Sequence, residues 1–249
     1  MFRKAVAILT LLIPLSLTAQ SVKDTSLLLH MFSFHGGGYL PAGDIAKRYG
    51  GSMGVGGSYW LKGASNWVFK ADFSYFSGNN FKADSMFDLI RDQYGHFITT
   101  SGEYGSASVY FRGFYAGLQG GRLFPMPWSN PNSGLVILGS AGLLQYWTHI
   151  YQEEKNVPLL NGKYKEGWDH QTNGFALNQF IGYLHLDSNR PLNFYLGFDF
   201  YQAWTRNRRD WNFDLMGPEP GLKHDFIFGF RFGWIFPVNK RISNTYYFY

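Results

Sequence analysis

The 249 residues contain no cysteine, so neither a disulfide framework nor a thiolate metal site holds this chain together. Charge is sparse too: Asp, Glu, Lys and Arg make up only 16%. The seven histidines show neither His-x-x-x-His nor His-Glu-x-x-His spacing, and the glycines form no phosphate-binding loop. No cofactor or metal is therefore implied. Beyond the first twenty residues no apolar run is long enough for a transmembrane helix, and the mean hydropathy is −0.20. What the chain has in quantity is aromatic side chains, at 20%, and 30 glycines. High aromatic and glycine content at ordinary mean hydropathy is what alternating strands produce.

Residues 1–20 read as a secretory leader. Arg3 and Lys4 form its charged start, Ala5 to Leu15 its apolar centre, and Ala19 a cleavage position. The centre is too short to span a bilayer and Pro14 interrupts it. Loss of the leader removes two of the 22 basic residues and leaves a net charge of about +3 against 17 acids. That excess is too small to imply a nucleic-acid partner, and export argues further against one.

The most informative stretch is 225–236. Phe226, Phe228, Phe230, Phe232, Trp234 and Phe236 alternate with Ile227, Gly229, Arg231, Gly233 and Ile235. A period of two places the aromatics on one face of a β-strand and the small residues with one arginine on the other. A bulky apolar face backed by a small or polar one suits a membrane barrel, with aromatics in lipid and a narrow lumen behind them.

Seven further strands are predicted, at 27–40, 52–61, 67–76, 109–124, 135–151, 172–186 and 192–204. The first carries Gly36, Gly37 and Gly38, read as a bend. The connections alternate: short at 62–65, 125–133 and 187–191, long at 77–105, 152–171 and 205–223. A helix is expected at 84–94, capped by Asp84 or Ser85. Short turns on one side and long loops on the other are the outer-membrane pattern. The tryptophans fit two interfacial belts: Trp60, Trp67, Trp128 and Trp234 at the short-turn end, Trp147 and Trp204 at the long-loop end. The fold expected is all-β, an eight-stranded antiparallel up-and-down transmembrane β-barrel over 21–238, followed by a periplasmic tail at 239–249. A soluble exported β-protein is the outside alternative.

The chain resembles the small outer-membrane barrels of Bacteroidota, the group that includes PorT-type and OmpA-like β-barrel domains. The likeness rests on the leader's closing Leu-Thr-Ala-Gln, on His35-Gly-Gly-Gly-Tyr-Leu-Pro-Ala-Gly-Asp44, and on Gly229-Phe-Arg-Phe-Gly-Trp-Ile-Phe-Pro237. It implies an outer-membrane address and, through PorT-type relatives, a link to type IX secretion. The tail Thr245-Tyr-Tyr-Phe-Tyr249 departs from barrels that end on the last strand's final aromatic.

Five charged residues are placed in the lumen row: Lys70, Asp72, Arg112, Asp199 and Arg231. Eight strands leave an interior just filled by side chains, so these charges are read as a salt-bridge plug, with an ion path as the alternative. His170-Gln-Thr-Asn173 is similar to the His and Ser, two residues apart, of lipid A deacylases, with Thr172 in place of serine and no evident acid partner. Arg206, Arg208 and Arg209, with Trp211 and Phe213, form a basic aromatic loop on the outer side, read first as an exposed solvated loop, with contact to lipopolysaccharide phosphates or a partner protein as the alternative. Phe81, Met86, Phe87 and Ile90 are expected either to cap the barrel mouth or to meet a partner. The function expected is non-enzymatic: structural, or an accessory subunit of an envelope secretion or assembly machine. Outer-membrane lipid, lipopolysaccharide and a machinery protein would be its partners. A lipid A-modifying enzyme and a small-solute channel are the alternatives.

Overall fold

The computed structural model describes residues 26–127, 129–152, 157–187 and 192–238. The leader expected at 1–20, the tail expected at 239–249 and Trp128 lie outside the described residues. Eight long strands close on themselves: β1 (Leu29–Gly43), β2 (Ser52–Lys62), β3 (Trp67–Gly78), β6 (Ala107–Pro125), β7 (Gly134–Gln152), β8 (Thr172–His185), β9 (Phe194–Asn207) and β10 (Lys223–Pro237). Two short strands, β4 (Phe97–Ile98) and β5 (Tyr104–Gly105), pair outside the barrel. Each long strand is antiparallel to its neighbours in sequence, and β1 pairs with β10 to shut the ring. All-β, antiparallel and up-and-down, the barrel has no open edge. No described helix is long and apolar enough to cross a membrane, a fact without bearing on spanning strands.

The period-two pattern resolves into an outside and an inside. Phe69, Phe198, Phe228 and Phe230 point outward and are 46–65% exposed. The alternating residues Lys70, Asp199 and Arg231 are buried. Inward glycines make room for large rings: a methyl group at Gly229 would overlap the Tyr39 ring, and one at Gly233 would overlap Tyr195. The row Ile227-Gly229-Arg231-Gly233-Ile235 is therefore small because neighbouring strands fill the bore from the other side.

The interior has three layers. Met31, Trp60, Val68, Val136, Phe180 and Tyr195 form an apolar layer toward the short turns. Tyr39, Phe76, Phe111, Tyr115, Tyr146 and Tyr201 form an aromatic layer toward the long loops. The ionic residues lie between them.

Three expectations need correcting. The run Gly36–Gly38 makes no separate bend, because β1 pairs without a break to β2 and β10 through all three residues. The helix expected at 84–94 is a 3-10 turn at Asp84–Phe87 followed by turns. Asp92 diverts the chain there: its carboxylate accepts the backbone N–H groups of Tyr94 at 2.9 Å and His96 at 2.8 Å, a local bond that competes with helical pairing. Trp60 is not in a belt. It faces inward, fully buried, with Lys70 Nζ 4.7 Å from its ring centre. Trp67 and Trp234 do lie on the outer wall near the short turns, and Trp147 and Trp204 near the loops.

Candidate functional site: the ionic layer and the loop end

Arg231 enters the bore from β10 and ties two acids together. Its Nη1 lies 3.0 Å from Asp72 Oδ2, and its Nε 2.7 Å from Asp199 Oδ2. Its Nη2 donates to the Tyr201 hydroxyl. Lys70 Nζ lies 2.8 Å from Asp72 Oδ1. Asn178 donates to Asp199 Oδ1 at 3.0 Å and accepts from Gln119 at 3.3 Å. Two cations meet two anions, all four side chains without solvent contact. A neutral set held by strong charge-assisted bonds fills the bore, which is how buried charge is tolerated.

Arg112 is not part of this layer. It shares the outward face of β6 with Tyr110 and Phe114, lies over the Tyr110 ring and donates to Ser77 of β3. Both faces of β6 carry aromatics, so alternation alone did not say which face was inside.

At the loop end, the three long connections fold onto one another. Met86, Phe87, Phe97, Val157, Leu160 and Trp168 make a second apolar core above the barrel, joined by Phe81, Ile90 and Phe213. The Trp168 ring packs on Phe87 and on Phe213, with centroids 5.5 and 5.2 Å apart. The sequence offered two roles for Phe81, Met86, Phe87 and Ile90, and the structure places them in this cap. Truncation of Trp168 to alanine is expected to loosen all three loops while the barrel stays folded. Limited proteolysis in detergent would show it as new cleavage at 79–106 and 208–222, at least tenfold faster, with the strands still protected.

His170, at the start of β8, anchors the third loop to the rim. It is buried and has φ +47°, a left-handed conformation that costs a non-glycine residue on the order of 1 kcal/mol or more. Its Nε2 lies 2.9 Å from Asp214 Oδ1 and its Nδ1 3.2 Å from Glu219 Oε2. Asn207 donates to the same Glu219 oxygen at 2.7 Å, and Lys223 pairs with Glu219 Oε1 at 2.9 Å. The acid partners that the sequence did not reveal thus come from the 208–222 loop. The arrangement still makes no nucleophile pair: the Thr172 hydroxyl donates to the His170 carbonyl at 2.8 Å, and both imidazole nitrogens face carboxylates.

Burial alone would raise the pKa of Glu219, but hydrogen bonds from His170, Lys223 and Asn207 outweigh it and hold the carboxyl well below the usual range. Burial likewise opposes, and bonding to His170 outweighs, in the lowered Asp214. Groups whose folded pKa is depressed stabilise fully above their unfolded values, 4.5 and 3.8 here, and lose that contribution as pH falls. The 208–222 loop is therefore expected to stay docked at neutral pH and to become protease-sensitive below about pH 4. A Glu219→Gln, Asp214→Asn variant would show this sensitivity at pH 7.

Beside His170 a cleft of about 300 Å³ opens between the first loop and β10, floored by Tyr49 and Tyr146. Its charges are paired internally: Lys47 with Asp44 at 2.7 Å, Lys223 with Glu219, and Arg48 with Asp214 at 3.5 Å.

The loop arginines do not act as one group. Arg209 is held by Asp169 at 2.5 Å and Glu166 at 3.2 Å, so it ties two loops together. Arg206 and Arg208 are exposed on the outer face, and Arg208 Nε donates to Asn173 at 2.6 Å. Trp211 is half exposed at the loop surface, whereas Phe213 belongs to the cap. Among the described residues, no group of His, Asp or Glu is arranged to hold a metal ion.

These features define the class of molecule: a closed eight-stranded antiparallel barrel with an apolar outer wall, a bore filled by side chains and a packed loop cap on one rim. No protein-family model and no curated protein matches the sequence. Solved structures similar to it include Neisserial surface protein A, 9% identical with a TM-score of 0.40, covering 83% of this chain and 94% of that one. The N-terminal β-barrel domain of Pseudomonas aeruginosa OprF is 12% identical with a TM-score of 0.37, covering 84% and 100%. The attachment invasion locus protein Ail of Yersinia pestis, solved with a heparin analogue, is 10% identical with a TM-score of 0.40, covering 84% and 99%.

Proposed function

We propose that this chain is a non-enzymatic outer-membrane protein that serves an envelope secretion or assembly machine as an accessory subunit. The observation that carries the membrane address is the outward band of Phe69, Phe198, Phe228 and Phe230 around an interior holding the strand charges Lys70, Asp72, Asp199 and Arg231. An uncovered apolar band on this scale is incompatible with water. Trp67 and Trp234 near one rim, with Trp147 and Trp204 near the other, match rings that settle at lipid headgroups. The filled bore argues against a solute channel, and the Thr172 geometry against a deacylase.

The accessory role is supported by the cap. It presents Leu89, Tyr94, Ile98, Tyr104, Trp211 and Met216 to solvent, each at least half exposed, above a core of its own. Exposed apolar groups on an ordered surface suit a protein partner. A machine of the type IX kind, which the sequence resemblance implies, is the finer form of this reading. Purification of the tagged full chain from native membranes in mild detergent tests it. A stoichiometric companion lost in the Trp211→Ala, Met216→Ser variant is the expected result. A lone monomer from the outer-membrane fraction would leave a purely structural barrel, and recovery in the soluble fraction would overturn the membrane address itself.

A further inference from the structure

The outward rows of the eight barrel strands contain no Asp or Glu at all. Their only Lys or Arg residues are Arg112, Arg122 and Arg206, and Arg122 sits alone toward the short turns. The other two lie toward the loops, on the wall β6–β7–β8–β9. Arg208, one residue beyond β9, continues the face of Arg206. The strand pairing brings them together: Arg112 lies opposite Trp147, Gln145 opposite Asn173, and Asn173 opposite Arg206. Three strand spacings of about 4.8 Å, with the two-residue step from Trp147 to Gln145, put the Arg112 and Arg206 backbones roughly 16 Å apart along the curved wall.

The chemistry of this wall is one-sided. No carboxylate pairs with Arg112, Arg206 or Arg208 among the described residues, in contrast to Arg209 and Arg231. Arg208 gives its Nε to Asn173 at 2.6 Å, and its side chain is exposed. Immediately toward the bilayer, Trp204 stacks on Phe175, with centroids 6.2 Å apart and planes 20° from parallel. Guanidinium groups that meet no carboxylate among the described residues, above aromatic rings, complement a phosphate attached to acyl chains. We infer that this wall binds the phosphorylated headgroup of an outer-leaflet glycolipid, with Arg206 and Arg208 gripping one phosphate and Arg112 available to a second. The inference rests on the membrane reading above, and it gives the lipid contact specific residues.

Native mass spectrometry of the full chain in zwitterionic detergent tests it with bis-phosphorylated lipid A, without requiring bilayer insertion. The wild type is expected to retain the lipid, and Arg112→Gln, Arg206→Gln, Arg208→Gln to retain at least tenfold less. Arg122→Gln is expected to bind as the wild type does. Lipid A stripped of its phosphates is expected to bind the wild type as poorly as the intact lipid binds the triple variant. Equal retention by wild type and triple variant, or retention indifferent to the phosphates, would overturn the assignment. Displacement of the lipid by submillimolar free pyrophosphate would overturn the choice of a lipid ligand in favour of a soluble one. All three arginines are on the surface, and unchanged heat-modifiability on gels would verify that the variant barrel is folded. Failure of lipid retention in a barrel that still fractionates with the outer membrane would separate this inference from the membrane reading.

Discussion

Arg231→Met is expected to destabilise the barrel by about 3–5 kcal/mol, because it strands Asp199 in the bore without a cation. Arg231 is the only group that touches both Asp72 and Asp199 among the described residues. Once it is gone, Lys70 still neutralises Asp72 at 2.8 Å, but Asp199 keeps only the Asn178 amide. The double variant Arg231→Met, Asp199→Asn removes the orphaned charge and is expected to recover more than half of the loss. Urea unfolding in detergent, followed by tryptophan fluorescence, measures both. A single variant within about 1 kcal/mol of wild type would mean that water already solvates the layer, and the filled bore would then have to be abandoned. The same argument predicts no steady single-channel conductance from the wild type in planar bilayers.

Phe198→Arg is expected to cost about 2–4 kcal/mol in a bilayer, and the same change at Phe236 about 0–1 kcal/mol. Phe198 is 65% exposed and precedes Asp199 of the ionic layer, so it projects outward at the middle of the wall. Phe236 is half exposed near the end of β10 at the short turns. A guanidinium at the lipid midplane must lose its hydration or distort the bilayer, whereas one at the rim reaches water. The sign of the contrast is diagnostic. On a water-soluble protein both positions would be ordinary surface sites, and arginine would improve solubility at little cost. Folding into phosphatidylcholine vesicles, compared for the two variants, distinguishes these outcomes.

How much of this was legible before the structure follows from the nature of alternation. The rows Phe226 to Phe236 and Phe194 to Phe200 each had one plainly bulky face, so their outward direction was readable. Lys70, Asp72, Asp199 and Arg231 sat on the opposite faces of clean strands, and the structure brings these four into one cluster. Arg112 stayed outside it because both rows of β6 are aromatic, leaving period two without a preferred side. Trp60 was drawn to a belt by its nearness to a turn, although it shares a row with Gly54, Gly56 and Ser58, and that row faces inward. The acids around His170 lie 44 and 49 residues further along the chain, in a loop that its arginines and aromatics marked and its acids did not. Arg209 looked the same as Arg208 in sequence. Only the fold of 157–171 placed Asp169 and Glu166 against the one, and left the other bonded to Asn173 with no acid beside it among the described residues.

The sequence by itself determined the local periodicity, the strand count and the two-sided chemistry of most strands, because side-chain alternation is a property of the extended backbone and needs no partner. Closure of the ring decided the rest. It chose which face became the bore, set the register that joins Arg231 to both acids, and carried the strand ends to positions where distant loops could pack around Trp168. Those outcomes depend on which strands meet, and a one-dimensional pattern does not carry that information.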